Sequence, residues 1–187
     1  NHVYEQIFDM MMHMWAGHIV NFTENTDTVM NDLRDVSPTL FHAVPRIWEK
    51  YHSAIVLKMA DATWLKRTVF NLAFKIGSKY NTVKLAKAPM PWYLYIGYQI
   101  AYFCVFWKLK ERLGFDRVRL GFSGAAPISH EILKFFQSIG IPIREGYGLT
   151  ETTGITHISD AQNFKLGTVG RNLPGAKVQI AEDGEIL

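Results

Sequence analysis

The sequence predicts an α/β fold: a mainly parallel sheet flanked by helices, followed by the start of a β-rich subdomain. Three observations carry this. Short strand-like runs alternate with amphipathic helical segments through most of the chain, the order from which parallel sheets are built. Two of those runs, one ending at Ser123 and one entering Tyr147, open directly into glycine-containing loops. Beyond Asp160 the pattern turns dense in glycine and proline. The expected division is an α/β part over residues 1–160, carrying a helical insertion at about 65–113, and a β-rich part over 161–187 that the chain end cuts short.

Taken in order, Val3 to Trp15 places Tyr4, Ile7, Phe8, Met11 and Trp15 on one helical stripe, and Gly17 can end that helix. His18 to Thr23 reads as a short buried strand. Thr26 or Asp27 can cap a helix through about Arg34, which Ser37-Pro38 breaks. Thr39-Leu-Phe is strand-like, and Pro45 suits the first turn of a helix bearing Ile47, Trp48, Tyr51, Ile55 and Leu57. Leu65 to Leu113 is helical and aromatic-rich, interrupted at Pro89 and Pro91. Val118 to Ser123 is a strand, Gly124 to Pro127 a tight loop, and Ser129 the cap of a helix from His130 to Ser138. Gly140 stops that helix, and Ile141-Pro-Ile143 leads into the next strand. Ala176 to Ala181 alternates as a strand, with Asp183-Gly184 as a hairpin turn.

Composition narrows the function. The chain has 187 residues, 48% hydrophobic and 20% charged, enough to bury a core. Its net charge of +3 comes with lysines at helix-like spacings, a solvated face rather than a nucleic-acid stripe. Cys104 is the single cysteine, so no disulfide framework exists, which suits a reducing, cytoplasmic setting. The seven histidines lack ligand spacing, against a structural zinc site. Pro89 to Trp107 runs uncharged for 19 residues. Its length alone would serve a membrane span, but Gly97, Gln99, two prolines and the tyrosines favour a buried or tunnel-lining helix. Both chain ends fall inside expected elements, so the sequence reads as a piece of a longer protein.

The chemistry concentrates in Arg144 to Thr153. Gly146 and Gly148 free the backbone on either side of Tyr147, so a flat ligand could lie against its ring. Thr150 supplies a hydroxyl and Glu151 an anionic oxygen for a hard cation. Aromatic plate, hydroxyl and carboxylate this close suit a nucleotide with magnesium. The plainer alternative is a glycine-rich turn ending in a threonine-capped helix. Because ligands of open α/β sheets bind beyond the strand carboxyl ends, this loop and the one after Ser123 are expected to share a site. Gly121-Phe-Ser-Gly-Ala125 also falls one residue short of the Gly-x-Ser-x-Gly elbow of serine hydrolases. There the helix should begin at once, but Ala126-Pro127 intervene, and His157 precedes Asp160 where the acid should come first.

Ser123-Gly-Ala-Ala-Pro127, then Glu145-Gly-Tyr-Gly-Leu-Thr-Glu-Thr152 and Gly167-Thr-Val-Gly-Arg-Asn-Leu-Pro-Gly175, resemble in order the motifs of the adenylate-forming superfamily. Val44-Pro-Arg-Ile-Trp-Glu-Lys50 and the opening His2-Val-Tyr-Glu5 are similar to its long-chain fatty acyl-CoA synthetases, as is the bulky insertion at 65–113. The resemblance makes residues 1–160 part of an AMP-binding subdomain. It implies a ligase in which a fatty carboxylate and ATP give acyl-AMP, and coenzyme A then takes the acyl group. Gly124, Ala125, Ala126 and Pro127 would border the nucleotide and acyl groups. Tyr147, between Gly146, Gly148 and Leu149, would stack on adenine. Thr150 would bind the α-phosphate and act with Glu151 in catalysis, and Glu151 would hold Mg2+. His2 would lie near the acyl and pantetheine channel, or simply start a helix. The family's phosphate loop should precede Asn1, and its ribose-binding aspartate and catalytic lysine should follow Leu187, so the chain alone is expected to be inactive. A fatty-acyl-AMP ligase serving a carrier protein shares these loops. The implied partners are a long-chain fatty acid and coenzyme A, in the cytoplasm with room for peripheral membrane contact.

Overall fold

The computed structural model describes residues 6–25, 27–160 and 164–186. Two compact units divide the chain, Asn21–Ile143 on one side and Asn1–Val20 with Arg144–Leu187 on the other.

In the larger unit, α1 (Val29–Val36) precedes β1 (Leu40–Ala43) and α2 (Pro45–Ala60). Then come α3 (Trp64–Leu85) and α4 (Trp92–Ala101). A π-helical turn at Tyr102–Phe106 carries α4 without a break into α5 (Trp107–Leu113). β2 (Leu120–Ser123) and α6 (His130–Ser138) close the unit. β1 and β2 pair in parallel, from Leu40 opposite Leu120 to Ala43 opposite Ser123, as the strand-helix-strand order demands.

Trp48 is fully buried and organises the core. Its ring stacks on Phe115 at 5.7 Å and meets Phe41 and Phe136 edge-on, both at 5.2 Å. Its Nε1 donates to the Phe122 carbonyl at 3.1 Å, giving the buried indole the partner it needs. Pro45 starts α2 at a position where its missing N–H costs nothing. The Val-Pro-Arg-Ile-Trp run therefore works as a clamp, holding the strand that delivers Ser123. Ser129 caps α6 as expected, its Oγ accepting from the Glu131 amide at 3.2 Å.

In the smaller unit, a π-helical turn (Gln6–Met11) leads into a single short turn of α-helix at Met12–Ala16, where Gly17 stops it with φ of 69°. β3 (Ile143–Leu149) begins at the unit boundary and pairs antiparallel with β4 (Gly154–Ile158). β4 pairs antiparallel in turn with β5 (Arg171–Asn172).

The α/β class holds, with strand pairings of both senses. Three element expectations change. Residues 18–23 form no strand: Ile19 and Phe22 are 85% and 74% exposed, and without a partner strand an apolar run has no reason to extend. Ala176 to Ala181 is no strand either, although its turn stands. Asp183 Oδ1 accepts from the Glu185 amide at 3.1 Å, and among the described residues here only Ile180 and Ile186 bridge. The helix expected from Thr26 or Asp27 starts at Val29 instead. Asn25 Oδ1 accepts from the Asp27 and Thr28 amides, shifting the start; Thr26 itself lies outside the described residues.

Candidate functional site

The threonine-rich stretch is the tip of a hairpin. β3 carries Tyr147, Gly148 and Leu149 outward, residues 150–153 turn, and β4 returns from Gly154. No threonine-capped helix follows. Thr152 Oγ1 fastens the turn, taking the Leu149 amide at 3.1 Å and donating to the Leu149 and Gly154 carbonyls at 3.0 and 3.2 Å. Thr153 is left-handed, with φ of 60°, a conformation uncommon for a residue with a branched Cβ. A bulge between Tyr147 and Gly148 shifts the register; such irregularities re-aim side chains beside functional sites. Thr150 and Glu151 end up exposed at the tip.

Gly148 is required by crowding. A Cβ there would lie 1.8 Å from the Gly154 carbonyl oxygen, so the two strands close tightly below the tip. Tyr147 is half-buried. It sits opposite His157 on β4, with ring centroids 5.8 Å apart and edge-to-face. His157 Nδ1 is 3.0 Å from Thr156 Oγ1, which also donates to the Tyr147 carbonyl at 3.3 Å. His157 and Thr156 thus fix Tyr147 in place. Neither part was legible in the sequence, where the β-branched spacing of Ile155, Thr156 and Ile158 was the available strand signal.

The Gly167-to-Gly175 motif is fastened to the same hairpin. Glu145 Oε2 accepts from the Gly167 amide at 3.0 Å, and Ser159 Oγ, buried, donates to the Thr168 carbonyl at 2.9 Å. Leu173 donates its amide to the Thr156 carbonyl at 2.7 Å. Gly170 (φ 84°) passes so close to β4 that a Cβ would meet the Ile158 oxygen at 2.2 Å. Two motifs separated in sequence are therefore one structure: a hairpin braced by a looped strand.

The other loop lies in the larger unit. Ser123 ends β2 buried, and its Oγ finds no hydrogen-bond partner among the described residues. Gly124 is half-buried, while Ala125, Ala126 and Pro127 are exposed. Ala125 holds φ of 67°, strain of the sort kept at ligand sites. Buried Ile128 anchors the far end. With no base in reach of Ser123 Oγ among the described residues, and α6 starting only at His130, the loop lacks a nucleophile–base pair. His2 lies outside the described residues.

The donor set can be weighed against a nucleotide and magnesium. No cluster of three His, Cys, Asp or Glu side chains that could hold a metal exists among the described residues, so an all-protein cage is absent there. A lone exposed carboxylate beside a hydroxyl fits a cation held mainly by phosphate oxygens and water, which is how magnesium is usually bound. The half-exposed Tyr147 ring offers an aromatic face that suits a flat base. No described helix is long and apolar enough to cross a membrane.

The sequence profile of the AMP-binding enzyme family matches residues 1–187. The chain belongs to this family. It is 38% identical over its whole length to the provisionally named fatty-acid–CoA ligase fadD11 of Mycobacterium tuberculosis, covering 33% of that protein. It is 36% identical over 181 residues to the long-chain-fatty-acid–CoA ligase ACSBG2 of Homo sapiens, covering 95% of this chain and 27% of that one. The chain thus spans about a third or less of the curated relatives it matches. In fold it is similar to an anthranilate CoA ligase, AuaEII, solved with anthranoyl-AMP. The TM-score is 0.57 at 14% identity, over all of this chain and 27% of that one.

Proposed function

We propose that this AMP-binding chain is a piece of a long-chain fatty-acid–CoA ligase and forms one wall of its adenylation site. Residues 1–160 would belong to the AMP-binding subdomain and 161–187 to the start of a β-rich one. The observation that carries the reading is the braced hairpin, which exposes Thr150 and Glu151 beyond Tyr147 in a chain matched end to end by the family.

In the proposed reaction a fatty carboxylate oxygen bonds to the α-phosphorus of ATP and pyrophosphate leaves. The thiol of coenzyme A then bonds to the acyl carbon, AMP leaves with the bonding pair, and the thiol proton is lost to solvent. Tyr147 stacks on adenine, in the company of Gly146, Gly148 and Leu149. Gly124, Ala125, Ala126 and Pro127 border the nucleotide and acyl groups with backbone. Thr150 donates to the α-phosphate. Glu151 holds Mg2+, which would offset phosphate charge as the leaving group departs. His2 is assigned to the acyl and pantetheine channel by the family resemblance alone. The chain supplies positioning and electrostatics rather than a covalent intermediate. Alone it makes no acyl-CoA, and its parent works in the cytoplasm with peripheral membrane contact.

In the full-length protein, Glu151→Gln should lower acyl-CoA formation by about 10²-fold and raise the magnesium concentration required. Unchanged activity would sink the assignment. Omitting coenzyme A should leave acyl-AMP; a thioester formed on a carrier protein instead would identify a fatty-acyl-AMP ligase.

A further inference from the structure

Lys110 is the only Lys, Arg, Asp or Glu buried among the described residues, with 4% of its surface exposed. The ligase chemistry proposed above makes no use of it. Taking an ammonium group out of water is costly, and an apolar side chain of similar volume often serves stability as well. Its neighbours show what the charge does there. Nζ donates to the Gly140 carbonyl at 3.3 Å and stands 5.6 Å from the centre of the Tyr102 ring, a cation–π arrangement. Gly140 closes α6. Its φ is 84°, and the Gly140 and Ile141 amides return to the Gln137 and Phe136 carbonyls at 3.1 and 2.9 Å, a Schellman end. A cation here answers the partial negative charge of the helix carboxyl terminus.

Two further contacts bring the helical insertion onto the same end of α6. Gly77 of α3 lies so close that a Cβ would meet the Ser138 carbonyl oxygen at 2.3 Å, and a Cβ on Gly140 would meet the Tyr98 hydroxyl at 2.9 Å. Past Gly140, the Pro142 carbonyl accepts from the Gly121 amide of β2 at 2.8 Å. At its other end α6 follows the loop of residues 124–127, through buried Ile128 and the Ser129 cap. That loop holds Ala125 left-handed, at φ of 67°, and such a conformation persists only where its surroundings over-determine it. The upstream flank is β2. The downstream flank is α6, a rod roughly 14 Å long at 1.5 Å per residue, whose far end Lys110 holds.

We propose that Lys110 is a positioning residue for adenylation: its ammonium group, carried on the helical insertion, fixes α6, and α6 holds the loop of residues 124–127 against the nucleotide. This rests on the place proposed for that loop beside the nucleotide, and it gives the insertion a part in the adenylation site. All the contacts it uses are made inside the larger unit. Each element packed here contributes titratable neighbours. α4 and the π-helical turn bring Tyr98 and Tyr102, and α3 brings Tyr80, stacked on Tyr98 at 4.1 Å. α6 brings backbone carbonyls, its Lys134 being exposed. The segment after α5 brings Asp116, whose Oδ1 accepts from Ser37 Oγ at 2.8 Å. α1 directs Arg34 to the Arg112 carbonyl and Asp32 to the Thr28 hydroxyl. Burial lowers the Lys110 pKa, with Asp116 partly offsetting, so the charge can be removed by alkaline pH as well as by substitution.

In the full-length protein, Lys110→Met keeps most of the side-chain volume and removes the charge. It should raise the KM for ATP in fatty-acid-dependent pyrophosphate exchange about tenfold. Amide hydrogen exchange over residues 124–128 should quicken, while the urea midpoint stays near that of the wild type. Lys110→Arg, which keeps the cation, should restore most of both. A lysine that served stability alone would lower the midpoint and the active fraction and leave the KM unmoved. A wild-type KM in Lys110→Met, or unchanged amide exchange over the loop, therefore overturns the proposal. If Lys110→Met does not fold, the alkaline profile decides. The wild-type KM should climb as Lys110 loses its proton, and Lys110→Arg should move that climb to higher pH; identical profiles overturn the proposal. A wild type without fatty-acid-dependent exchange would sink the ligase reading, and amide exchange over the loop would still judge Lys110.

Discussion

Gly148 and Glu151 stand three residues apart and are held by opposite demands. At Gly148 the constraint is volume, because the Gly154 carbonyl fills the place of a side chain. Gly148→Ala should cost about 1–3 kcal/mol by forcing the strands apart. It should also raise amide hydrogen exchange across β3 and β4, and lower ligase activity in the full-length protein more than its stability loss explains. Normal protection in the variant would contradict this. At Glu151 the proposed constraint is chemical: its side chain is exposed and packing does not require it. The glycine–tyrosine–threonine mixture made this stretch stand out in the sequence as the candidate site. The role of His157 was not readable, because its place opposite Tyr147 follows from a register that only the folded hairpin sets.

Where an element's own residues decide its shape, sequence and structure agree. The helices between Trp64 and Leu113, the Pro45 start of α2 and the Ser129 cap all follow from local pattern. Strands depend on partners and agree less well. Residues 18–23 look extended but stay bare, while β4 forms from a short glycine-led run because β3 and β5 flank it. The π-helical turn at Tyr102–Phe106 also left no mark in the periodicity. Trp48 joins α2 to β2 through both packing and a hydrogen bond. Trp48→Ala should therefore cost about 3–5 kcal/mol, read as a lower urea midpoint. Because the core of the larger unit loses its centre, a loss under 1 kcal/mol would contradict the clamp assigned to the Val-Pro-Arg-Ile-Trp run.

A buried tyrosine, Tyr51, and a half-buried one, Tyr98, tie the stability of the protein to alkaline pH. Burial first, then the neighbouring Tyr80 and Tyr102, push Tyr98 from 10.0 up to about 12; burial likewise raises Tyr51, against a smaller lowering by Arg34. A phenol with a raised folded-state pKa loses its proton first in the unfolded chain. Its contribution is therefore complete below pH 10 and lost progressively up to about 12. Lys110, lowered by burial with Asp116 partly offsetting, acts in the opposite sense as pH rises toward its ordinary 10.5. Urea midpoints should fall above pH 10, and Tyr98→Phe should flatten that fall by up to one proton's worth; an unchanged slope would contradict it. The family was readable from the order of four motifs, whereas the exposure of Trp92, Phe103 and Trp107 along α4, the π-helical turn and α5 emerged only with burial known. The central claim is that this hairpin serves fatty-acid adenylation. Exchange of labelled pyrophosphate into ATP by the full-length protein tests it most directly. The account predicts exchange that depends on a long-chain fatty acid and is largely lost in Glu151→Gln; exchange indifferent to fatty acid, or undiminished in that variant, would contradict it.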